Sequence, residues 1–238
     1  MRVTAPALSI LGAILCTHTS VALADPQYPH HAQPMLFQFV AKHAELREGG
    51  GLSWDVHARA GSELQRLRLR SRGEHEHGRT SDGELEAGWQ RAIGTWWDAS
   101  LGWRGSGRPG PRRDWLAFGL HGMAPWFVNI DASLYMADAG HAELRVEALH
   151  ELPLTQRAIL TADFEVQANA HRDARRFSGS GLHGAELGLR LRYEFTRKFA
   201  PYAGLEAERR FGDSKELARG AGQTTHETRF VLGVTLWF

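Results

Sequence analysis

The last eleven residues, Thr228 to Phe238, alternate without a break. Phe230, Leu232, Val234, Leu236 and Phe238 fall on one face, and Arg229, Val231, Gly233, Thr235 and Trp237 on the other. Period-two alternation marks a β-strand with different surroundings on its two sides. In water, an edge strand carrying this row of bare apolar side chains would pair with other copies and aggregate. In a closed membrane barrel the same row faces lipid, and the strand's free edge is satisfied by pairing with the first strand. The rest of the chain therefore reads as the strands against which this one closes.

The opposite end carries Arg2, an apolar run from Ala7 to Cys16, and Ala22-Leu23-Ala24. This predicts a secretory signal over residues 1–24, cleaved after Ala24. Leu15 stands where a lipoprotein signal needs a small residue, so Cys16 is not read as a lipidation site. Cys16 is the single cysteine, so the mature chain has none and must be held by backbone pairing and packing alone. The balance of 28 basic against 27 acidic residues excludes nucleic acid as a partner. No run of 18 apolar residues follows the signal, which argues against a membrane-crossing helix but not against crossing strands.

Residues 25–34 form a short proline-rich periplasmic lead that holds His30 and His31. From 35 to 238 the alternation predicts an all-β fold, a 12-stranded antiparallel transmembrane β-barrel of the bacterial outer membrane. The strands are expected at roughly 35–47, 52–61, 63–73, 83–93, 96–105, 114–123, 126–136, 141–152, 157–169, 182–195, 200–211 and 226–238. Connection lengths support the count. Gly61-Ser62, Gly94-Thr95, Ala124-Pro125, Pro153 to Gln156 and Thr196 to Phe199 are tight, whereas Glu74 to Asp82, Ser106 to Arg113, Ala170 to Gly181 and Gly212 to Thr225 are long. Tight periplasmic turns with longer outer loops are the usual barrel asymmetry, and an even strand number puts both termini in the periplasm. Trp96, Trp97, Trp126, Phe127, Phe195, Phe199, Trp237 and Phe238 gather at the tight-turn end, as an interfacial girdle would. A terminal Phe also resembles the signal by which outer-membrane proteins are recognised for insertion.

The non-lipid face is densely charged: Arg66, Arg68 and Arg70, Glu84 and Glu86, Glu143, Arg145 and Glu147, Glu186, Arg190 and Arg192, and Glu206, Glu208 and Arg210. Each would cost several kcal/mol against hydrocarbon, so the set is expected to line the lumen, paired or wet. Twelve strands enclose a bore between those that side chains fill and those that stay open. A narrow, partly plugged lumen follows.

No catalytic constellation stands out, and the chain reads as a non-enzyme. The 13 histidines are more suggestive. His30 and His31 lie in the lead, His75 and His77 in an outer loop, and His57, His121 and Met123 have lumen parity. Imidazole with thioether suits copper, and closely spaced histidines on a lead or loop can chelate a passing ion. The lumen set reads as a relay of weak sites, because His57 lies mid-strand while His121 and Met123 lie near the periplasmic end.

Several motifs, in order along the chain, resemble the copper resistance protein B outer-membrane family. They are Trp89-Gln90-Arg91-Ala92-Ile93 leading to Trp97-Asp98, Arg108-Pro109-Gly110-Pro111, Gly122-Met123-Ala124-Pro125-Trp126-Phe127 with Asp131-Ala132, and Leu154-Thr155-Gln156-Arg157. Further on come Gly179-Ser180-Gly181-Leu182, Glu186 to Glu194, Phe199-Ala200-Pro201-Tyr202 and Thr228-Arg229-Phe230. The resemblance runs from about Phe37 to Phe238. It implies an outer-membrane barrel in copper homeostasis that binds copper ions and aids their export or sequestration. The expected partners are copper, outer-membrane lipid and periplasmic copper-handling proteins. Many family members carry a long Met- and His-rich segment before the barrel; here it reads Tyr28-Pro29-His30-His31 with Met35, too few ligands for high-capacity storage. The competing reading is a structural barrel or general small-solute pore with no metal role.

Overall fold

The computed structural model describes residues 34–238 apart from 49, 77–78 and 108–109. The signal segment, His30, His31 and His77 lie outside the described residues. Twelve strands follow one another: β1 (Leu36–Arg47), β2 (Gly51–Gly61), β3 (Gln65–Glu76), β4 (Arg79–Ala92), β5 (Trp97–Ser106), β6 (Arg113–Ala124), β7 (Val128–Met136), β8 (Ala142–Pro153), β9 (Ala158–Asn169), β10 (Gly181–Tyr193), β11 (Phe199–Arg210) and β12 (His226–Trp237). Each pairs antiparallel with its sequence neighbours, and β12 pairs with β1, closing the barrel in chain order. At the seam the Phe39 N–H donates to the Phe238 carbonyl at 3.0 Å and the Phe238 N–H to the Phe39 carbonyl at 2.9 Å. The chain-terminal residue thus completes the ladder that sequence alternation required.

Three local features depart from the expected boundaries. The β3–β4 ladder runs on through Glu74↔Asp82, His75↔Thr80 and Glu76↔Arg79, so most of the expected Glu74 to Asp82 loop is strand. Apolar alternation marks only the lipid-crossing part of a strand, and an antiparallel ladder can continue past it with polar residues on both faces. The second departure is at Trp126 and Phe127, expected as the start of β7. They instead lie in a 3₁₀ turn, Pro125–Phe127, with φ of 71° and 59°. Pro125 can donate nothing to a ladder, and both aromatic side chains stay exposed at the tight-turn end. Third, the expected loop from Gly212 to Thr225 contains helix α1 (Gly212–Gly220). Lys215-Glu216-Leu217-Ala218-Arg219 are good helix formers, Asp213 and Arg219 complement the helix dipole, and Ser214 and Ala218 are buried.

The outer surface carries the apolar face. Leu67, Leu101, Phe118, Leu144, Phe164, Leu189, Leu205 and Leu232, each from a different strand, are all exposed. An apolar belt of this extent belongs against lipid, since folded domains in water expose only small apolar patches. No helix among the described residues is long and apolar enough to cross a membrane, so the strands do the crossing. Within the belt, Trp54 lies opposite Gly73 and Trp97 opposite Gly122. A Cβ on Gly73 would come within 2.3 Å of the Trp54 ring, and one on Gly122 within 2.5 Å of the Trp97 ring. Each indole covers backbone that its glycine leaves bare. Trp237, in contrast, turns inward, with the Arg192 guanidinium 5.6 Å from its ring centroid.

Adjacent residues on β10 meet opposite demands. Leu189→Arg puts a charge in lipid and should cost about 2–4 kcal/mol. Arg190→Leu leaves Glu45, Asp163 and Glu206 without their shared cation and should cost about 3–5 kcal/mol. Denaturant titration of the barrel in micelles, with heat-modifiable gel mobility as the folding readout, checks both. A midpoint unchanged from the parent for either variant would refute the face assignment.

Candidate functional site

Alternation sets the lumen wall, and one irregularity edits it. In β1, Ala41 pairs with Val56 and His43 with Asp55, so Lys42 is an extra residue opposite a single step of β2. This β-bulge resets the parity. Gln38, Val40 and Lys42 face in, and so do His43, Glu45 and Arg47. Strict alternation from Phe37 and Phe39 would have put His43 on the lipid side.

Arginines on β3 reach across the barrel. Arg70 forms paired bonds to Asp55 on β2, 3.0 and 2.8 Å, and to Glu147 on β8, 2.8 and 2.9 Å. Arg72 bonds Glu165 at 2.8 Å. Glu165 is on β9, six strands from β3 in a ring of twelve, so this pair joins opposite walls. A second knot gathers Glu45, Asp163 and Glu206 around Arg190, with Arg47 and Arg229 also on Glu206 at 3.1 Å each. Toward the loop end Arg104 bonds Glu143 twice at 2.8 Å and lies 3.7 Å from the Tyr135 ring centroid, while Arg145 bonds Glu84 at 2.7 Å. Most of the expected lumen charges therefore meet as charge-assisted pairs, several of them bidentate.

Between these walls lies a cavity of about 620 Å³. His57, His121 and Met123 all line it, as does His43. The sequence-predicted lumen set thus shares one chamber, but its members differ in what they have free. His121 is engaged on both ring nitrogens. Nδ1 is 2.9 Å from Asp131 Oδ2, while Nε2 is 2.8 Å from both Ser100 Oγ and Arg68 Nη1. Arg68 reaches it over the small residues Gly88, Gly102 and Ala117, successive partners in one cross-strand row. The glycine at 119 matters too, because a Cβ there would sit 2.5 Å from His121 Nε2.

Ser100, His121 and Asp131 thus stand in the order of a hydrolytic triad on neighbouring strands. Arg68 changes what they can do. A guanidinium is only a donor, so it competes with Ser100 for the one Nε2 lone pair that a general base must keep for the serine proton.

His57 is the opposite case. Its buried Nε2 lies 3.0 Å from Asp55 Oδ1, close enough for an ion pair though poorly aligned for a hydrogen bond. His43 Nδ1 is 3.3 Å from the Tyr202 hydroxyl and 3.5 Å from Glu45 Oε1. His75 pairs opposite the outward Leu52 and stands on the outer side of the β3 end. Among the described residues no three His, Cys, Asp or Glu side chains converge as a formed metal set.

A smaller cavity of about 130 Å³ opens among the long loops, lined by Arg113, His141, Glu143, His171, Asp173 and His183 among others. The sequence reading assigned none of its histidines. They lie on separate loops and strands, brought together only by barrel closure.

These features have parallels in known proteins. The porin NanC matches the fold with a TM-score of 0.54 over 84% of this chain and 99% of its own, at 12% identity, a likeness of architecture alone. A copper resistance protein B homolog of Pseudomonas syringae pv. tomato (strain ATCC BAA-871 / DC3000) is 38% identical over 194 residues, 82% of this chain and 66% of that protein. Copper resistance protein B of Escherichia coli is 36% identical over 186 residues, 78% of this chain and 63% of its own length. The chain accordingly matches less than two thirds of the length of either relative. The family model described as copper resistance protein B precursor (CopB) matches residues 35–238, the whole barrel. With its lipid-facing belt, closed twelve-strand sheet and this match, the chain is an outer-membrane barrel and belongs to the copper resistance protein B family.

Proposed function

We propose that this barrel confers copper resistance by binding copper ions weakly in its lumen and aiding their export or sequestration at the outer membrane. His30 and His31 of the lead capture ions on the periplasmic side, where copper-handling proteins deliver them. His57, His121 and Met123 act in series within the lumen, and His75 and His77 act near the outer end. The observation that carries this reading is that His57, whose buried Nε2 makes a poorly aligned contact with Asp55, lines the same chamber as Met123. Imidazole with thioether suits copper, and an imidazole held by a poorly aligned contact gives up little to coordinate it. His121 must first release Arg68 and Ser100, so it holds an ion less firmly. Loose successive sites are what conduction requires. The protein acts as a binder and conduit and not as an enzyme.

The likeness to a porin favours a second reading, a general small-solute pore. The Arg72–Glu165 pair argues against it, because a bridge between opposite walls narrows the bore against a general solute.

Copper flux into liposomes holding the purified barrel tests the leading reading. His57→Ala should slow flux by roughly tenfold, the scale on which loss of one supporting group weakens metal binding. The triple variant that also carries His121→Ala and Met123→Ala should be slower still. Equal flux and equal protection of cells by the triple variant would make these side chains structural. Planar-bilayer conductance separates the pore reading. The parent should pass little current, and Arg72→Ala with Glu165→Ala should raise it; a parent that already conducts unrelated ions freely would favour the pore. In a third measurement, Gly119→Ala should disturb His121 without removing it, lowering flux while the barrel still folds; unchanged flux would place His121 outside the path.

A further inference from the structure

From the loop-end cavity we infer that His141, His171 and Asp173 form a capture site for a divalent, imidazole-preferring transition-metal ion at the outer mouth of the barrel. None of the three belongs to the lumen path, and the site rests on its own geometry; only the choice of copper as its natural cargo rests on the copper-resistance reading.

The tautomer of His141 is set by its surroundings. Its Nδ1 lies 2.9 Å from the Asp138 carbonyl oxygen, which can only accept, so Nδ1 carries the proton and Nε2 the lone pair. Protein metal sites orient their histidines in this way, with the non-ligating N–H donated to a carbonyl or carboxylate. The Nε2 so freed lies 3.9 Å from Asp173 Oδ2. The His171 ring lies beside it, with ring centroids 6.2 Å apart. A metal–nitrogen bond of about 2.0 Å puts a ring centroid about 3 Å from the ion, so two rings on one ion lie at most about 6 Å apart. His171 is exposed, so its ring can rotate toward His141 to bring both imidazoles onto one ion. Gly140 leaves room for it: even a Cβ there would lie 3.8 Å from His171 Cε1.

The scaffold under these groups is anchored. The Ala170 N–H donates to the Ala142 carbonyl at 2.8 Å, and Asp173 and Ser178 exchange backbone bonds of 2.7 and 3.0 Å. Arg176 ties the loop to the Pro111 carbonyl at 2.6 Å. Burial works to raise the Asp173 pKa, but the hydrogen bond and charge of Arg113 outweigh it and hold the carboxyl below the usual range. The group is therefore anionic at neutral pH. Arg113, 2.7 Å from the same oxygen, also keeps the site modest in affinity, as suits a port an ion must leave. Two imidazoles and one carboxylate favour Cu²⁺ over Zn²⁺ by the ordinary stability order and lack the soft sulfur that Cu⁺ prefers.

The test uses the full chain folded in micelles, with His30, His31, His57, His75, His77, His121 and Met123 changed to Ala to remove the other proposed copper ligands. Cu²⁺ alone is titrated and followed by electron paramagnetic resonance. One bound equivalent with two-nitrogen coupling is expected. His141→Ala and His171→Ala should each weaken it at least tenfold and reduce the coupling to one nitrogen, while Asp173→Asn should weaken it without changing the nitrogen count. Identical affinity and spectra in the background protein and both histidine variants would overturn the site. Its failure is read from binding and spectra at the mouth, whereas failure of the lumen reading is read from flux in His57 variants with the mouth intact.

Discussion

Arg70 and Arg72 reach from β3 to Glu147 and Glu165 on the far wall, and the interior of the barrel is organised around that reach. Four arginines alternate on one strand, Arg66, Arg68, Arg70 and Arg72, an arrangement that repels itself unless each finds a carboxylate. Each does: Asp98, Asp131, Asp55 with Glu147, and Glu165 with Glu147. Low-dielectric surroundings make such pairs costly to break even where their net contribution to stability is small. Their effect on shape is direct. Long guanidinium arms occupy the bore that twelve strands would otherwise leave open and divide it into chambers.

The same pairs decide which lumen groups remain available for chemistry. Arg68 satisfies Asp131 and also takes the lone-pair side of His121, which ties up a histidine that strand parity alone would present as a ligand. Arg70 bonds both Asp55 oxygens, and His57 shares one of them in a poorly aligned contact. One histidine is held on both ring nitrogens and the other more loosely, although both line the same chamber.

Much of the architecture could be read from the chain because lipid and lumen impose contrary demands on alternate residues, and the pattern of Thr228 to Phe238 repeats in every strand. Signals that break the alternation were harder to see. The extra Lys42 turns His43 inward, and nothing near it distinguishes a bulge from continued pairing. The polar extension of β3 and β4 and the helix at Gly212–Gly220 lie beyond the lipid, where alternation carries no information. For the site, parity was enough to put His57, His121 and Met123 inside. Which ring nitrogens were engaged depended on Arg68 of β3 reaching His121 of β6, a contact between residues far apart in sequence. His141 and His171 were missed for the same reason, since each looks like a solvated loop histidine until the barrel closes.

The poorly aligned contact between His57 and Asp55 bears on how a lumen can pass an ion. A ligand already bonded to the wall must give up that bond before it coordinates, so its affinity is reduced by the bond's worth. His57 has only a poorly aligned contact with Asp55 to give up, so it loses less. His121, held by Arg68 and Ser100, regains those bonds each time an ion departs. A path that begins with one kind of site and continues with the other takes an ion readily and releases it readily. In the proposed reading the ion-pair network therefore does more than fill the barrel, because its spacing sets the order in which the histidines are willing to bind.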